Sequence, residues 1–275
     1  MASEHTPHEP ATPGDPRAPI LDRSLDLVRF LRARCPWDAA QTPESLEPYL
    51  LEEALETAEA ISTGDDAALR DELGDLLLNV AFQIVLAEER RAFSGEEVLR
   101  HLEAKMRRRH PHVYGDAAER PSWEALKAEE RAPGERFDGI AERLDPLARA
   151  QRMQDRASGV GFDWPDVSGA WAKFLEEVGE VDAHWAAGGV DVEAKDRLEE
   201  ELGDLLFAAV NVIRLAGSHA AAALRRANAK FARRFEAVES LARERGLTLG
   251  EASLEELDRL WDEVKRAERG GDERP

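Results

Sequence analysis

One cysteine, Cys35, stands in 275 residues. No internal disulfide can form, and a reducing, cytoplasmic compartment is expected. Strand-like runs of Val, Ile and Thr are missing and aromatic residues make up only 6% of the chain, which argues against a sheet-built fold. No apolar run reaches the length of a membrane span. Basic residues are in deficit, 37 Lys and Arg against 57 Asp and Glu, for a net charge of −20. Nucleic acid is therefore a poor candidate for the main partner, since phosphate binding needs a basic surface. A small anionic substrate stays compatible if a metal and local Lys or Arg reverse the sign inside a cleft. The N-terminal residues carry Pro7, Pro10, Pro13, Pro16 and Pro19 with no apolar core. A disordered tail over residues 1–20, and not a signal peptide, is expected there.

What the chain has in abundance is acid, arranged in a pattern that occurs twice. The first copy reads Leu50-Leu51-Glu52-Glu53-Ala54-Leu55-Glu56, then Glu72-Leu73-Gly74-Asp75-Leu76-Leu77. The second reads Phe174-Leu175-Glu176-Glu177-Val178-Gly179-Glu180, then Glu201-Leu202-Gly203-Asp204-Leu205-Leu206. Glu53 and Glu177 are 124 residues apart, and Asp75 and Asp204 are 129 apart. A third matched piece, Lys105 to Arg109 against Lys230 to Arg234, is offset by 125. Three ordered blocks at nearly one offset indicate a duplicated unit.

Abundant Ala, Leu, Glu and Arg with helical periodicity give an all-α fold of two tandem four-helix-type units. The expected organisation is a tail over 1–20, a first helical domain over 21–115 and a connecting region over 116–158. A second helical domain over 159–268 and a short tail over 269–275 complete it. Thr63-Gly64 and Gly188-Gly189 mark the ends of the E-E-x-x-E helices. Ser94-Gly95-Glu96-Glu97 and Ser253-Leu254-Glu255-Glu256 are capping boxes.

Residues three apart share a helix face, so Glu53 and Glu56 point the same way, as do Glu72 and Asp75. The second copy repeats this with Glu177, Glu180, Glu201 and Asp204. Apolar neighbours embed these acids in stripes that face another helix or a cleft. Converging carboxylates repel one another and suffer desolvation unless something positive joins them. An all-oxygen site of this kind suits a hard divalent cation, Mg2+ or Mn2+. A single E-E-x-x-E reads first as a solvated face; its recurrence with E-L-G-D downstream favours a site. Gly74 and Gly203 sit mid-helix, where glycine costs roughly 1 kcal/mol against alanine, which suggests close backbone approach or ordinary packing. A di-iron site is disfavoured, since no histidine lies three residues after a glutamate. His110 and His112 read as a turn, and Cys35 has no nearby base in sequence. Trp37, Trp164 and Trp261 read as core residues or as surfaces on which a base stacks. The pairs Lys105/Arg109 and Lys230/Arg234 read as partners of the surplus acids or as phosphate holders.

These blocks resemble the MazG nucleoside triphosphate pyrophosphohydrolases over about residues 21–268. The carriers are Cys35-Pro36-Trp37-Asp38, Gln41-Thr42, Tyr49 to Glu53, Glu72 to Leu77 and Arg108 to Val113. In the second half they are Val160 to Trp164, Glu177 with Glu180, Glu201 to Phe207 and Asn228 to Phe231. Pro43 stands in a loop where the family often has histidine. The resemblance implies an all-α pyrophosphatase fold, a homodimer and Mg2+ dependence. It also implies cleavage of NTP to NMP and pyrophosphate, broad base tolerance and a role in clearing aberrant nucleotides. It implies metal ligation by Glu177, Glu180, Glu201 and Asp204, and in the first copy by Glu53, Glu56, Glu72 and Asp75. Lys173, Arg197, Lys230, Arg234, Trp261 and Lys265 match positions around the nucleotide. On this reading Glu176 or Glu200 serves as base, and Lys230 and Arg234 neutralise the leaving pyrophosphate. The alternatives are a narrow dUTP or dCTP pyrophosphatase and a non-enzymatic helical regulatory protein. The second copy, followed by a helix carrying Trp261 and Lys265, is expected to do most of the hydrolysis.

Overall fold

The computed structural model describes residues 19–115, 123–129, 134, 136–187 and 192–271. Among these there is no strand. The expected tail over 1–20 lies outside them save for its last two residues, as do Gly188-Gly189 and residues 272–275 of the expected C-terminal tail. The chain divides into two compact units, Met1–Arg120 and Pro121–Pro275.

The first unit begins with α1 (Ile20–Arg34), which stops where Cys35 turns extended and Pro36 opens the short α2 (Pro36–Ala39). Proline is suited to a first helical position because its missing N–H is unbonded there anyway. α3 (Pro43–Thr63) starts on a reciprocal cap, with Ser45 N–H donating to Thr42 Oγ1 at 3.2 Å and Thr42 N–H to Ser45 Oγ at 2.9 Å. It ends at Gly64, whose φ of 72° is the left-handed conformation that glycine adopts without strain. Asp65 then accepts from Ala67 and Ala68 N–H and starts α4 (Asp66–Glu89). A two-residue link thus folds α3 and α4 into a helical hairpin, which brings the two acid blocks together.

The N-terminal half of α4 carries Glu72 and Asp75. Its C-terminal half is buried nearly all round, with Ala81, Phe82, Ile84, Val85, Leu86 and Ala87 in the interior. Leu25 and Val28 of α1 and Leu46 of α3 complete this core. Charge fixes the rim: Arg32 is bidentate on Glu89 at 2.7 and 2.8 Å, and Arg29 pairs with Glu88 at 2.6 Å. The other oxygen of Glu88 accepts from Gly95 N–H and seats the start of α5 (Gly95–Arg109), which Ser94 and Glu97 cap reciprocally. α6 (Pro111–Tyr114) follows.

In the second unit α7 (Trp123–Glu129) and α8 (Pro146–Ser158) precede the repeated hairpin of α9 (Val167–Ala187) and α10 (Val192–Leu215). α8 is amphipathic in an unusual way: two of its buried side chains are glutamines. Gln151 donates to Ser218 O and accepts from Ala220 N–H, which caps α11 (Ala220–Glu244). Gln154 donates to Phe207 O on α10 at 2.8 Å. Buried Arg156 donates to the carbonyls of Arg136 and Asp138 and fastens the preceding loop. α11 turns at Gly246 and packs on α12 (Leu254–Gly271) through Val238, Ala242, Leu260 and Val264.

Gly74 and Gly203 are not explained by close approach within the chain. A Cβ built at either meets nothing within 4 Å. No single helix among the described residues is long and apolar enough to cross a membrane.

Candidate metal centre

Each hairpin draws three carboxylates together. In the first unit ligand oxygens of Glu53, Glu56 and Glu72 all lie within 4.8 Å of one another, and in the second those of Glu177, Glu180 and Glu201 do the same. The helix periodicity puts the two glutamates of α3 or α9 on one face, and the hairpin supplies the third acid from the facing helix. Asp75 and Asp204 stand outside these close trios. Asp75 is still near enough for its charge to act on Glu53 and Glu72.

The first trio is electrostatically unrelieved. Burial and then the charges of Asp75, Glu56, Glu72 and Glu52 push the Glu53 carboxyl above its ordinary value. Burial, Glu56, Asp75 and Asp71 do the same to Glu72. The charges that raise these two groups are all carboxylates.

The second trio has acquired a cation. Lys173, one turn before Glu177 on α9, bonds Glu176 at 2.8 Å and Glu177 at 2.7 Å. Those hydrogen bonds raise its ammonium above the usual lysine range, Glu176 contributing first. Glu177 is 5% exposed and is the one trio member fully buried. Glu180 is raised, first by a hydrogen bond to Glu177, then by burial and the charges of Glu177 and Glu201, with Lys173 working the other way.

His184 was missed by the sequence reading. Its Nε2 lies 3.6 Å from Glu201 Oε1. The rule that excluded histidines looked three residues after a glutamate. His184 is four after Glu180, which also shares its face. The 124-residue offset places Lys173 and His184 opposite Tyr49 and Ala60 of the first copy, so the two trios have different surroundings.

The remaining candidates fall in two places. Glu176 sits beside the trio through Lys173, while Glu200 and Arg197 are exposed on α10. Lys230, Arg234, Trp261 and Lys265 gather on α11 and α12. Arg234 pairs with Glu268 at 2.7 Å and lies over Trp261 at 5.9 Å, and Trp261 rests against Phe231 with ring centroids 5.3 Å apart. Lys265 pairs with Asp262 at 3.0 Å. None of the ion pairs of Arg234 or Lys265 reaches the acid trio. In the first copy Lys105 and Arg109 are half-buried on α5.

The description "MazG nucleotide pyrophosphohydrolase domain" matches residues 41–114 and again 169–239. The chain is 44% identical over 262 residues to the nucleoside triphosphate pyrophosphohydrolase/pyrophosphatase MazG of Thermotoga maritima, covering 92% of this chain and 97% of that one. It is 41% identical over 260 residues to the nucleoside triphosphate pyrophosphohydrolase of Escherichia coli K12, covering 90% and 98%. It is also 38% identical over 253 residues to YabN of Bacillus subtilis, which is about twice as long; the match covers 51% of it.

The raised carboxyls fix the sign of a pH effect. A group whose folded pKa lies above its unfolded value contributes stability that is full below the unfolded pKa and lost as pH rises through the folded one. At pH 7 without metal the wild type therefore carries the repulsion, and Glu53→Gln or Glu180→Gln each remove one charge from it. Both variants should melt at or above the wild-type temperature at pH 7, with the difference closing as pH falls below the carboxylate range. Stabilisation by added Mg2+ should shrink in both. Thermal melts with EDTA and with Mg2+ check this; variants that melt lower in EDTA yet gain fully from Mg2+ contradict it.

Proposed function

The chain belongs to the MazG nucleotide pyrophosphohydrolase family, and from that premise we propose that it hydrolyses nucleoside triphosphates between the α- and β-phosphates, releasing NMP and pyrophosphate. The observation that carries the reading is the carboxylate trio built between paired helices in each family repeat. Oxygen donors this close, with carboxyls pushed upward by burial, hydrogen bonding and mutual repulsion, fit a hard divalent cation, and we assign Mg2+, with Mn2+ able to substitute. Glu177, Glu180, Glu201 and Asp204 would hold it in the second copy, and Glu53, Glu56, Glu72 and Asp75 in the first. When bound, such an ion supplies Lewis acidity to the triphosphate.

The chain's own side chains do the rest. Lys173 holds Glu176 and Glu177 in one orientation. Of the two candidate bases, Glu176 and Glu200, Glu176 has the better support because Lys173 ties it to the trio. Lys173, Arg197, Lys230, Arg234 and Lys265 bring positive charge to an otherwise acidic protein and bind phosphate oxygens. Arg234 must leave Glu268 to do so. Trp261 offers a stacking surface. Broad base tolerance fits that arrangement, and the role is the removal of aberrant nucleotides in the cytoplasm, without nucleic acid or membrane as partner.

The second copy carries most of the hydrolysis in this reading. Its trio has a buried ligand, a lysine and a nearby histidine, and α12 follows it; among the described residues the first copy has only the short α6 after α5. The duplicated units act as two domains, 21–115 and 159–268; of the intervening residues 116–158, α7 and α8 go with the second unit. A homodimer completes the packing. Leu51, Leu55 and Leu73 in the first unit and Leu175, Leu202 and Leu206 in the second are exposed apolar residues beside the acid faces. The open surface at Gly74 and Gly203 gives a second copy room to approach.

Phosphorus NMR of ATP and dGTP incubated with the protein and Mg2+ should show NMP and pyrophosphate; ADP and phosphate would refute the bond assignment, and one strongly preferred base in a wider panel would refute broad tolerance. Glu177→Gln with Glu180→Gln should abolish turnover, while Glu53→Gln with Glu56→Gln retains most of it; the opposite result reverses the assignment of copies. Light scattering at micromolar concentration should give the mass of a dimer, and a uniform monomer of 30.6 kDa rejects the assembly.

A further inference from the structure

The first repeat buries a hydroxyl beside its acids where the second repeat has hydrocarbon. Thr57 on α3 is 7% exposed, and its Oγ1 is buried with no hydrogen-bond partner among the described residues. The 124-residue offset of the E-E-x-x-E blocks sets it opposite Val181, which is buried as well. Valine and threonine have nearly one shape, so the second repeat shows that this position packs without an oxygen. A buried polar group with no partner is destabilising, and a hydrocarbon of the same shape is not. The hydroxyl of Thr57 therefore calls for an explanation other than packing.

Its surroundings supply one. Thr57 directly follows Glu56 and stands one turn beyond Glu53 on the same side of α3. α4 is the helix on which α3 packs, and α4 brings Glu72 to within 4.8 Å of those two glutamates. A side chain buried this deeply on α3 points across that seam, at the level of the trio. A helical threonine ordinarily donates to a carbonyl one turn back. Thr63 on the same helix does so, to Glu59 O and Ala60 O at 3.2 and 3.1 Å. Thr57 makes no such bond, so its lone pairs face the acids uncommitted. The other buried polar residue of the seam, Asn79, is accounted for: its Nδ2 donates to Asp75 O at 3.2 Å.

A divalent cation meets both needs at once. It offsets the repulsion among the carboxylates and takes up the lone pairs of the hydroxyl. An uncharged donor has a further advantage here. Another carboxylate would add to the repulsion that already raises Glu53 and Glu72, whereas a hydroxyl adds a ligand and no charge. The second repeat solves its charge problem internally, through Lys173 on Glu177. The first has Tyr49 at that position, so its positive partner has to come from solution.

We propose that Thr57 Oγ1 is an additional, uncharged oxygen donor to the divalent cation of the first repeat, beside Glu53, Glu56 and Glu72, and that this site fills without a nucleotide. The inference rests on assigning the acid trios to a divalent cation; it does not rest on the hydrolytic step.

The test is Mn2+ binding, followed by electron paramagnetic resonance and calorimetry, in the full chain carrying Glu177→Gln and Glu180→Gln. The second trio is then silenced, no nucleotide is present and turnover is not read. One saturable Mn2+ site should remain, and adding Glu53→Gln with Glu56→Gln should remove it. Thr57→Val should weaken that site by about tenfold, while Thr57→Ser, which keeps the hydroxyl, should retain it. In EDTA, Thr57→Val should melt at or above its parent, because it removes an unmet polar group; a merely structural role predicts a lower melting temperature and unchanged Mn2+ affinity. If Thr57→Val does not fold, as judged by circular dichroism, Thr57→Ala against Thr57→Ser makes the same comparison. Saturable binding that loss of the hydroxyl leaves unchanged overturns the role of Thr57, gives the hydroxyl to water and leaves the trio's assignment standing. Absence of any Mn2+ site in this background overturns both the role of Thr57 and the first repeat's cation site.

Discussion

Three carboxylates held within 4.8 Å between two packed helices are the constraint to which the rest of this protein answers. Nothing in an apo helical hairpin rewards that arrangement. Each acid raises the cost of ionising the next, and partial burial removes the water that would screen them. The fold accepts the cost because the apolar positions of the same helices place the acids there. α4 is locked by Phe82, Val85 and Leu86 against α1, and the link of Gly64 and Asp65 leaves α3 no other course. The repulsion is thus offset by packing elsewhere in the hairpin, which is how a preorganised cation site is kept.

The two copies treat the same constraint differently. In the first, the charges that raise Glu53 and Glu72 come from neighbouring acids. The second introduces Lys173, whose ammonium spans Glu176 and Glu177, and His184 beside Glu201. It also replaces core hydrocarbon with Asn211 and Arg214 and opens an aromatic cavity. These changes give the second unit polar and cationic groups at positions where the first has Tyr49, Ala60, Phe82 and Val85. That division accords with assigning hydrolysis mainly to the second unit.

Position on the surface also separates the parts of the proposed site. The trio is built by α9 and α10, whereas Arg234, Trp261 and Lys265 belong to the α11–α12 pair and are engaged with Glu268, Phe231 and Asp262. A substrate bridging the two groups has to replace those ion pairs with its own phosphate oxygens. Exposed pairs of this kind are worth little, so the exchange is not costly.

Much was legible without coordinates, because it depended on local spacing. The all-α class, the duplication, the capping boxes at Ser94 and Ser253, the glycine stop at Gly64 and the three glutamates of each trio all follow from residues three or four apart or from a repeated block. Other features depended on which helix lies opposite which. Asp75 and Asp204 share a motif with the trios yet stand outside them, because the crossing of the two helices and not the motif decides which oxygens meet. His184 escaped notice because its partner Glu201 comes from another helix. The opening lined by Gln154, Phe162 and Arg214 was invisible for the same reason: Arg214 is distant in sequence from the other two and joins them only when α8 packs on α10. Helical periodicity determines which side chains share a face; the distance between faces, and hence what touches across them, is set by tertiary packing alone.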